Sequence, residues 1–180
     1  MNDTQGGRST ALLIATIAVM TAVTAVLTAL VQIPSPIRGY FNLSDVAVFF
    51  TAFALGPWAA AIAGGLGTAI ADVLTGYAQF APISFLAHGL EGLVAGLIAG
   101  LALRRDASAA RPAIAWIAGA VAGAAVMIAG YLGGGWILQG PSAVTEVPGN
   151  AVQAAIGAVA GAALALLVHR AYPPVRNLRF

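Results

Sequence analysis

Residues Ala11–Ile33 form an apolar run of 23 residues, preceded by one arginine, Arg8. A helix rises about 1.5 Å per residue, so about 20 residues cross roughly 30 Å of hydrocarbon. The run is long enough to cross. It is also long for the core of a cleaved leader, so it reads as a retained span. Similar runs follow, separated by short segments carrying proline, glycine and arginine. The chain is 60% hydrophobic and 8% charged, with a mean hydropathy of +0.92. A soluble domain carries about 25% charged residues. A sequence this poor in polar surface cannot cover itself in water, and the expected class is an all-α integral membrane protein.

The expected spans are about 10–33, 42–55, 57–74, 83–103, 112–132 and 143–168. They give a six-transmembrane-helix bundle with both termini cytoplasmic, one membrane domain over residues 1–180. The uncharged stretch Val46–Ala71 has 26 residues and offers a rival, a single tilted span and five in all. Arginine placement does not decide. With six spans Arg8, Arg104, Arg105, Arg111, Arg170, Arg176 and Arg179 lie inside and Arg38 outside; with five, Arg8 and Arg38 exchange sides. The Gly56-Pro57 turn favours six, because proline suits the first position of a new helix.

Several chemistries are excluded by composition. There is no cysteine and no lysine; all eight basic residues are arginine. Disulfides, thiolate metal sites, a P-loop lysine and a Schiff-base lysine are therefore absent. The chain is not expected to hydrolyse ATP with its own residues. No catalytic residue, cofactor or resident metal is expected. The net charge of +2 belongs to arginines that orient membrane spans and is a poor signal for nucleic acid.

Small residues recur at spacing four: Gly92, Gly96 and Gly100; Gly119 and Gly123; Gly157 and Gly161; Ala11 and Ala15; Ala18 and Ala22. Such rows let helix backbones approach closely in lipid. Packing inside the bundle accounts for most of them. The alanine row of the first span is the best candidate for an external docking face, because its other faces are plain Val, Leu and Ile.

Polar and aromatic residues gather at one end of the expected bundle. Arg38, Tyr40, Phe41 and Asn42 occupy the first outer loop. Asp45 opens the second span; Asp72 and Thr75 close the third, followed by Tyr77, Gln79 and Phe80. Ser84, His88 and Glu91 form a stripe at i, i+4 and i+7, as do Glu146, Asn150 and Gln153. Ionisable groups inside a membrane segment default to functional positions facing the bundle interior. Aromatic walls around a few convergent polar groups describe a pocket, although Trp58, Trp116 and Tyr172 at the other face suit an interfacial belt. Pro148 and Gly149 are candidates for opening the first turn of the last span. In "NLSD", Asn42 and Asp45 also fit a helix-capping box. Two competing readings are an intramembrane hydrolase with Ser84 and His88 as nucleophile and base, and a channel or secondary carrier.

The stretch "NLSDVAVFFTAFALGPWAAAIAGGLGTAIADVLTGYAQFAPISFLAHGLEGLVAGLIAG" resembles the central block of substrate-binding S components of energy-coupling-factor (ECF) vitamin transporters, closest to the riboflavin-type branch. "TEVPGNAVQ" resembles the start of that family's last helix, and the resemblance covers roughly Ala15 to Val168. It implies a subunit of the prokaryotic plasma membrane that captures a small water-soluble vitamin or precursor with a flat ring. It also implies a transmembrane coupling subunit and two cytoplasmic ATPases as partners, with docking through Ala15, Ala18 and Ala22. Tyr40, Phe41, Tyr77, Phe80 and Trp136 are the expected ring walls. Asn42, His88, Glu91, Glu146, Asn150 and Gln153 are the expected polar contacts. His88 stands where many relatives carry lysine. A thiamine-pyrimidine precursor, a pyridoxine-like vitamin and a flavin all remain open.

Overall fold

The computed structural model describes residues 3–36, 39–105 and 111–178. Six α-helices lie among them: α1 (Asp3–Leu30), α2 (Ser44–Ala54), α3 (Pro57–Thr75), α4 (Ala81–Arg105), α5 (Arg111–Gln139) and α6 (Val147–Ala171). A 3-10 segment, Gly140–Glu146, joins α5 to α6, and another, Pro173–Leu178, follows α6. Strands β1 (Ile33–Pro34) and β2 (Tyr40–Phe41) pair antiparallel, Ile33 opposite Phe41 and Pro34 opposite Tyr40. They form a strap between α1 and α2. Arg38 and Arg179, two of the orienting arginines, lie outside the described residues. Among the described residues, four helical stretches are long and apolar enough to cross a membrane: Thr10–Leu30, Pro57–Thr75, Ala81–Leu101 and Ala113–Ala171, the last containing α5 and α6. Helix α2, at 11 residues, is short.

The breaks follow local chemistry. Gly56 sits at φ 103°, a conformation costly for any residue with a Cβ. Pro57 then opens α3, where its missing N–H has no intrahelical partner to lose. Val46–Ala71 is therefore two helices meeting at Gly56 and not one tilted helix. Helix α3 ends on Gly76, left-handed at φ 90°, whose N–H bonds the Asp72 carbonyl. One expected boundary is wrong. "GGGWILQ" continues α5 to Gln139 instead of forming a loop. Two of its three glycines are filled by neighbours: a Cβ at Gly134 would meet Ile83 at 2.6 Å, and one at Gly135 would meet Ala143 at 3.1 Å, whereas Gly133 has nothing within 4 Å. Pro148 lies in the first turn of α6, so the helix starts there rather than being opened there.

The interior is built from small residues and a few rings, and the outside is aliphatic. Ile14, Val19, Ile117, Val121, Val159 and Leu167 are all exposed. Such a surface suits acyl chains, which replace water as solvent. Inside, α4 packs between α3 and α5, and α2 lies among α1, α3, α4 and α6. The glycine rows are the close approaches. A Cβ at Gly92 would meet the Ala60 backbone at 2.9 Å; at Gly123, the Glu91 carbonyl at 2.8 Å; at Gly161, the Phe50 amide and Val46 carbonyl at 2.8 Å. Gly100 is the exception, with nothing within 4 Å.

Buried threonines are satisfied locally. The hydroxyls of Thr24, Thr28, Thr51 and Thr68 each donate to a carbonyl four residues back, at 2.6–2.8 Å. Met20, Thr24 and Thr28 face the interior from α1, whereas Ala15, Ala18 and Ala22 are exposed. Trp116 is not part of a belt. It stacks on Phe53, centroids 5.0 Å apart and planes at 5°, with His169 at 5.8 Å. Trp58 and Tyr172, both exposed, remain compatible with one.

Candidate substrate-binding site

Six segments converge at one end of the bundle. The C-terminal ends of α1, α3 and α5 bring Thr28, Asp72 and Tyr131. The N-terminal ends of α4 and α6 bring Ser84 and Asn150. The strap and its flanks bring Gly39, Tyr40 and Asn42; Phe80 precedes α4 and Glu146 precedes α6. These ten residues line one cavity of about 20 Å³, room for about one water-sized molecule. Its walls include two carboxylates, Asp72 and Glu146, and no basic side chain among the described residues.

The strap is tied down on every side. Tyr40 donates its hydroxyl to Asp72 Oδ1 at 2.6 Å, and its ring lies 4.6 Å from that of Tyr77. Burial, followed by the Asp72 carboxylate, pushes the Tyr40 phenol above its usual range, so Tyr40 stays a donor. Ser35 donates to Glu146 Oε1 and accepts from the Gly39 N–H at 3.0 Å. The Asn42 N–H donates to Gln153 Oε1 at 2.7 Å, and Gln32 donates to Thr75 at 3.0 Å. Asn42 Oδ1 accepts the Ser44 N–H at 2.7 Å.

Beneath the cavity lies a second polar layer. Ser84 and Tyr131 share a hydrogen bond of 2.7 Å. The Tyr131 ring meets His88 edge-on, centroids 5.5 Å apart. His88 Nδ1 lies 2.8 Å from Glu91 Oε2 and 3.0 Å from Asp45 Oδ1; Nε2 lies 3.4 Å from Ser44 Oγ. Asp45, His88 and Glu91 are completely enclosed. Asp45 thus points at His88, and the capping-box role expected for it is replaced by this contact. No hydrogen bond joins Ser84 to His88 among those between described residues; each has other partners, so the nucleophile–base pair is not assembled.

The sequence profile described as ECF-type riboflavin transporter, S component, matches residues 8–170. The chain belongs to that family. It is a multi-pass membrane transport subunit and not an enzyme. A relative from Pyrococcus woesei, named only as an uncharacterized protein in a gap 3′ region, is 34% identical over 152 residues, 83% of this chain and 97% of that one. The thiamine precursor transporter HmpT of Lactococcus lactis subsp. cremoris (strain MG1363) is 29% identical over 157 residues, 86% of each chain.

Against the residues expected to bind, the S component brings Tyr40, Asn42, Phe80, Glu146 and Asn150 to the cavity. Tyr77 backs Tyr40 without lining it. Phe41 and Gln153 instead line a lateral groove of about 340 Å³ with Val31, Pro148 and Ile156. His88 and Glu91 lie one layer deeper. Trp136 is 51% exposed and faces away from the bundle. Five residues past Tyr131, it is turned about 140° round the helix. Thr28, Gly39, Asp72, Ser84 and Tyr131 complete the lining. Of these, Asp72, Ser84 and Tyr131 are visible in sequence as polar or aromatic residues near span ends; Thr28 and Gly39 give no such signal.

Proposed function

We propose that this S component is the substrate-capture subunit of an ECF-type ABC transporter, importing a small water-soluble vitamin or precursor with a flat ring. It acts as a single membrane domain of six crossings, the second made by the short α2 together with the chain ahead of it, with both termini cytoplasmic and the cavity facing outward, in a prokaryotic plasma membrane. A transmembrane coupling subunit and two ATPases supply the energy. The exposed Ala15, Ala18 and Ala22 form the coupling subunit's docking face, because small side chains let a partner helix approach closely.

The observation that carries this reading is the cavity itself: two carboxylates, Asn42, Asn150 and three aromatic side chains, at one end of a chain from this family. With no basic side chain among its described walls, the cavity suits a ring rich in hydrogen-bond donors or carrying positive charge. An aminopyrimidine precursor of thiamine fits that chemistry, and the named function of the Lactococcus relative supports it. Pyridoxine and riboflavin remain the comparison ligands. At about 20 Å³ the cavity holds none of them, so entry requires strand β2 of the strap, which carries Tyr40, to lift. His88 and Glu91 then brace the floor instead of touching the ring.

The test is mass spectrometry of the small molecule that co-purifies with the protein, followed by calorimetric titration with the three ligands. Submicromolar affinity for the aminopyrimidine is expected. Tighter binding of riboflavin would overturn the donor-rich assignment. Absence of binding to every vitamin tried, with no co-purified ligand, would count against capture altogether.

A further inference from the structure

We infer that Asp45, His88 and Glu91 form a site for one divalent transition-metal ion, buried beneath the cavity and separate from it. One ligand atom from each, a ring nitrogen of His88 and one carboxylate oxygen from each acid, lies within 4.8 Å of the others, and His88 Nδ1 is the nitrogen that both acids approach. The ligands come from two helices: Asp45 from the first turn of α2, His88 and Glu91 from successive turns of α4. Gly64, Gly123 and Gly157 press these helices together from outside. A Cβ at Gly64 would meet the His88 carbonyl at 2.9 Å, and one at Gly123 the Glu91 carbonyl at 2.8 Å. The backbone that carries the ligands is therefore held from three sides.

A second observation points to a cation. Asp45 Oδ2 and Glu91 Oε1 are buried and have no hydrogen-bond partner. Two carboxylates share a single imidazole, and residues 39–103 contain no lysine or arginine. With both acids ionised, a histidinium supplies one positive charge against two negative ones. A divalent ion on the neutral imidazole neutralises both, and it offers the two idle oxygens something to bind. Binding replaces the proton on Nδ1, which leaves to solvent. Nε2 keeps its hydrogen and turns it to Ser44 Oγ, the kind of outer partner that fixes the tautomer of a ligating histidine.

One nitrogen and two carboxylates suit Zn²⁺, Co²⁺, Mn²⁺ or Ni²⁺ rather than a thiophilic ion. Tetrahedral ligands about 2.0–2.1 Å from zinc stand about 3.3 Å apart. The Nδ1 separations of 2.8 and 3.0 Å need to open by only a few tenths of an ångström. Ser84 and Tyr131 form the floor between cavity and site, so an ion enters by that door. The site does not depend on which vitamin, if any, the cavity takes.

The test uses the full chain, stripped with a chelator in detergent and titrated with ZnCl₂ or CoCl₂ by calorimetry, with thermal unfolding in parallel. One ion per chain, a raised Tm and a cobalt spectrum of nitrogen and oxygen ligation are expected. Asp45→Asn, Glu91→Gln and His88→Gln should each weaken binding at least tenfold, whereas His169→Gln, at the chain's other histidine, should not. Absence of binding by the unaltered protein at micromolar metal overturns the site whether or not the variants fold. So does stoichiometric binding that survives all three substitutions or that His169→Gln abolishes.

Discussion

Tyr40→Phe isolates the bond that holds the strap over the cavity. The substitution removes one hydroxyl and keeps the ring against Tyr77. The lost contact is a 2.6 Å hydrogen bond to Asp72, a carboxylate only 2% exposed. Hydrogen bonds to charged groups contribute about 1.5–3 kcal/mol net, and each 1.4 kcal/mol is tenfold in an equilibrium. The open fraction of the strap should therefore rise roughly ten- to 150-fold. The chain has no cysteine, so Asn150→Cys places a single thiol on the cavity wall. A water-soluble thiol reagent cannot fit a cavity of about 20 Å³ and can react only while the strap is open. Its labelling rate then reports the open population when closing is fast. Asn150→Cys should label slowly, and Tyr40→Phe in that background should accelerate labelling at least tenfold. Asp72→Asn should also accelerate it, and combining the two should add little, because both remove one bond. Rates within twofold of each other, in protein that elutes and unfolds normally, would show that this bond does not latch the strap.

Glu146→Gln and Asn150→Ala should each weaken binding of the co-purified ligand at least tenfold while leaving the helical content unchanged; calorimetry and circular dichroism check this, and unaltered affinity in both would move the pocket elsewhere. Ala18→Leu and Ala22→Leu should leave ligand binding intact and abolish uptake; co-purification with the coupling subunit at normal yield would refute the docking face. Gly161→Ala should cost about 1–3 kcal/mol, since its Cβ would strike the α2 backbone at 2.8 Å, whereas Gly100→Ala, with nothing within 4 Å, should be neutral or stabilising by up to about 1 kcal/mol. Thermal unfolding of the two variants side by side decides the point.

What was legible in the sequence is what depends on periodicity or on local turn chemistry. Spacing four reveals the glycines that hold α4 to α3, α5 to α4 and α6 to α2, and the Gly56-Pro57 pair marks the break between α2 and α3. The end of α5 departs from expectation because "GGG" signals a helix break in water, whereas here Gly134 packs against Ile83 and Gly135 against Ala143. "NLSD" is a local signature that points to a cap at Asp45, whereas its actual partner, His88, lies 43 residues further on. Half of that signature survives: Asn42 accepts the Ser44 N–H. Composition makes ring walls of both Tyr40 and Phe41, yet neighbouring residues of a strand point to opposite sides; one faces the cavity and the other the lateral groove. Trp136 belongs to the right segment and the wrong face of its helix. Composition locates the polar end of the bundle, but only three-dimensional register separates cavity wall, floor and outer surface.

The shortness of α2 has an electrostatic consequence. Eleven residues extend about 16 Å, half of a roughly 30 Å hydrocarbon layer, so at least one end of this enclosed helix stops at membrane depth. Its N-terminus lies beside Asn42 and Asp45, where the aligned peptide dipoles of the helix amount to about half a positive charge. Residues 39–103 supply no arginine to that region. A half-length helix delivers positive potential to a carboxylate-rich interior without inserting a cationic side chain into the membrane.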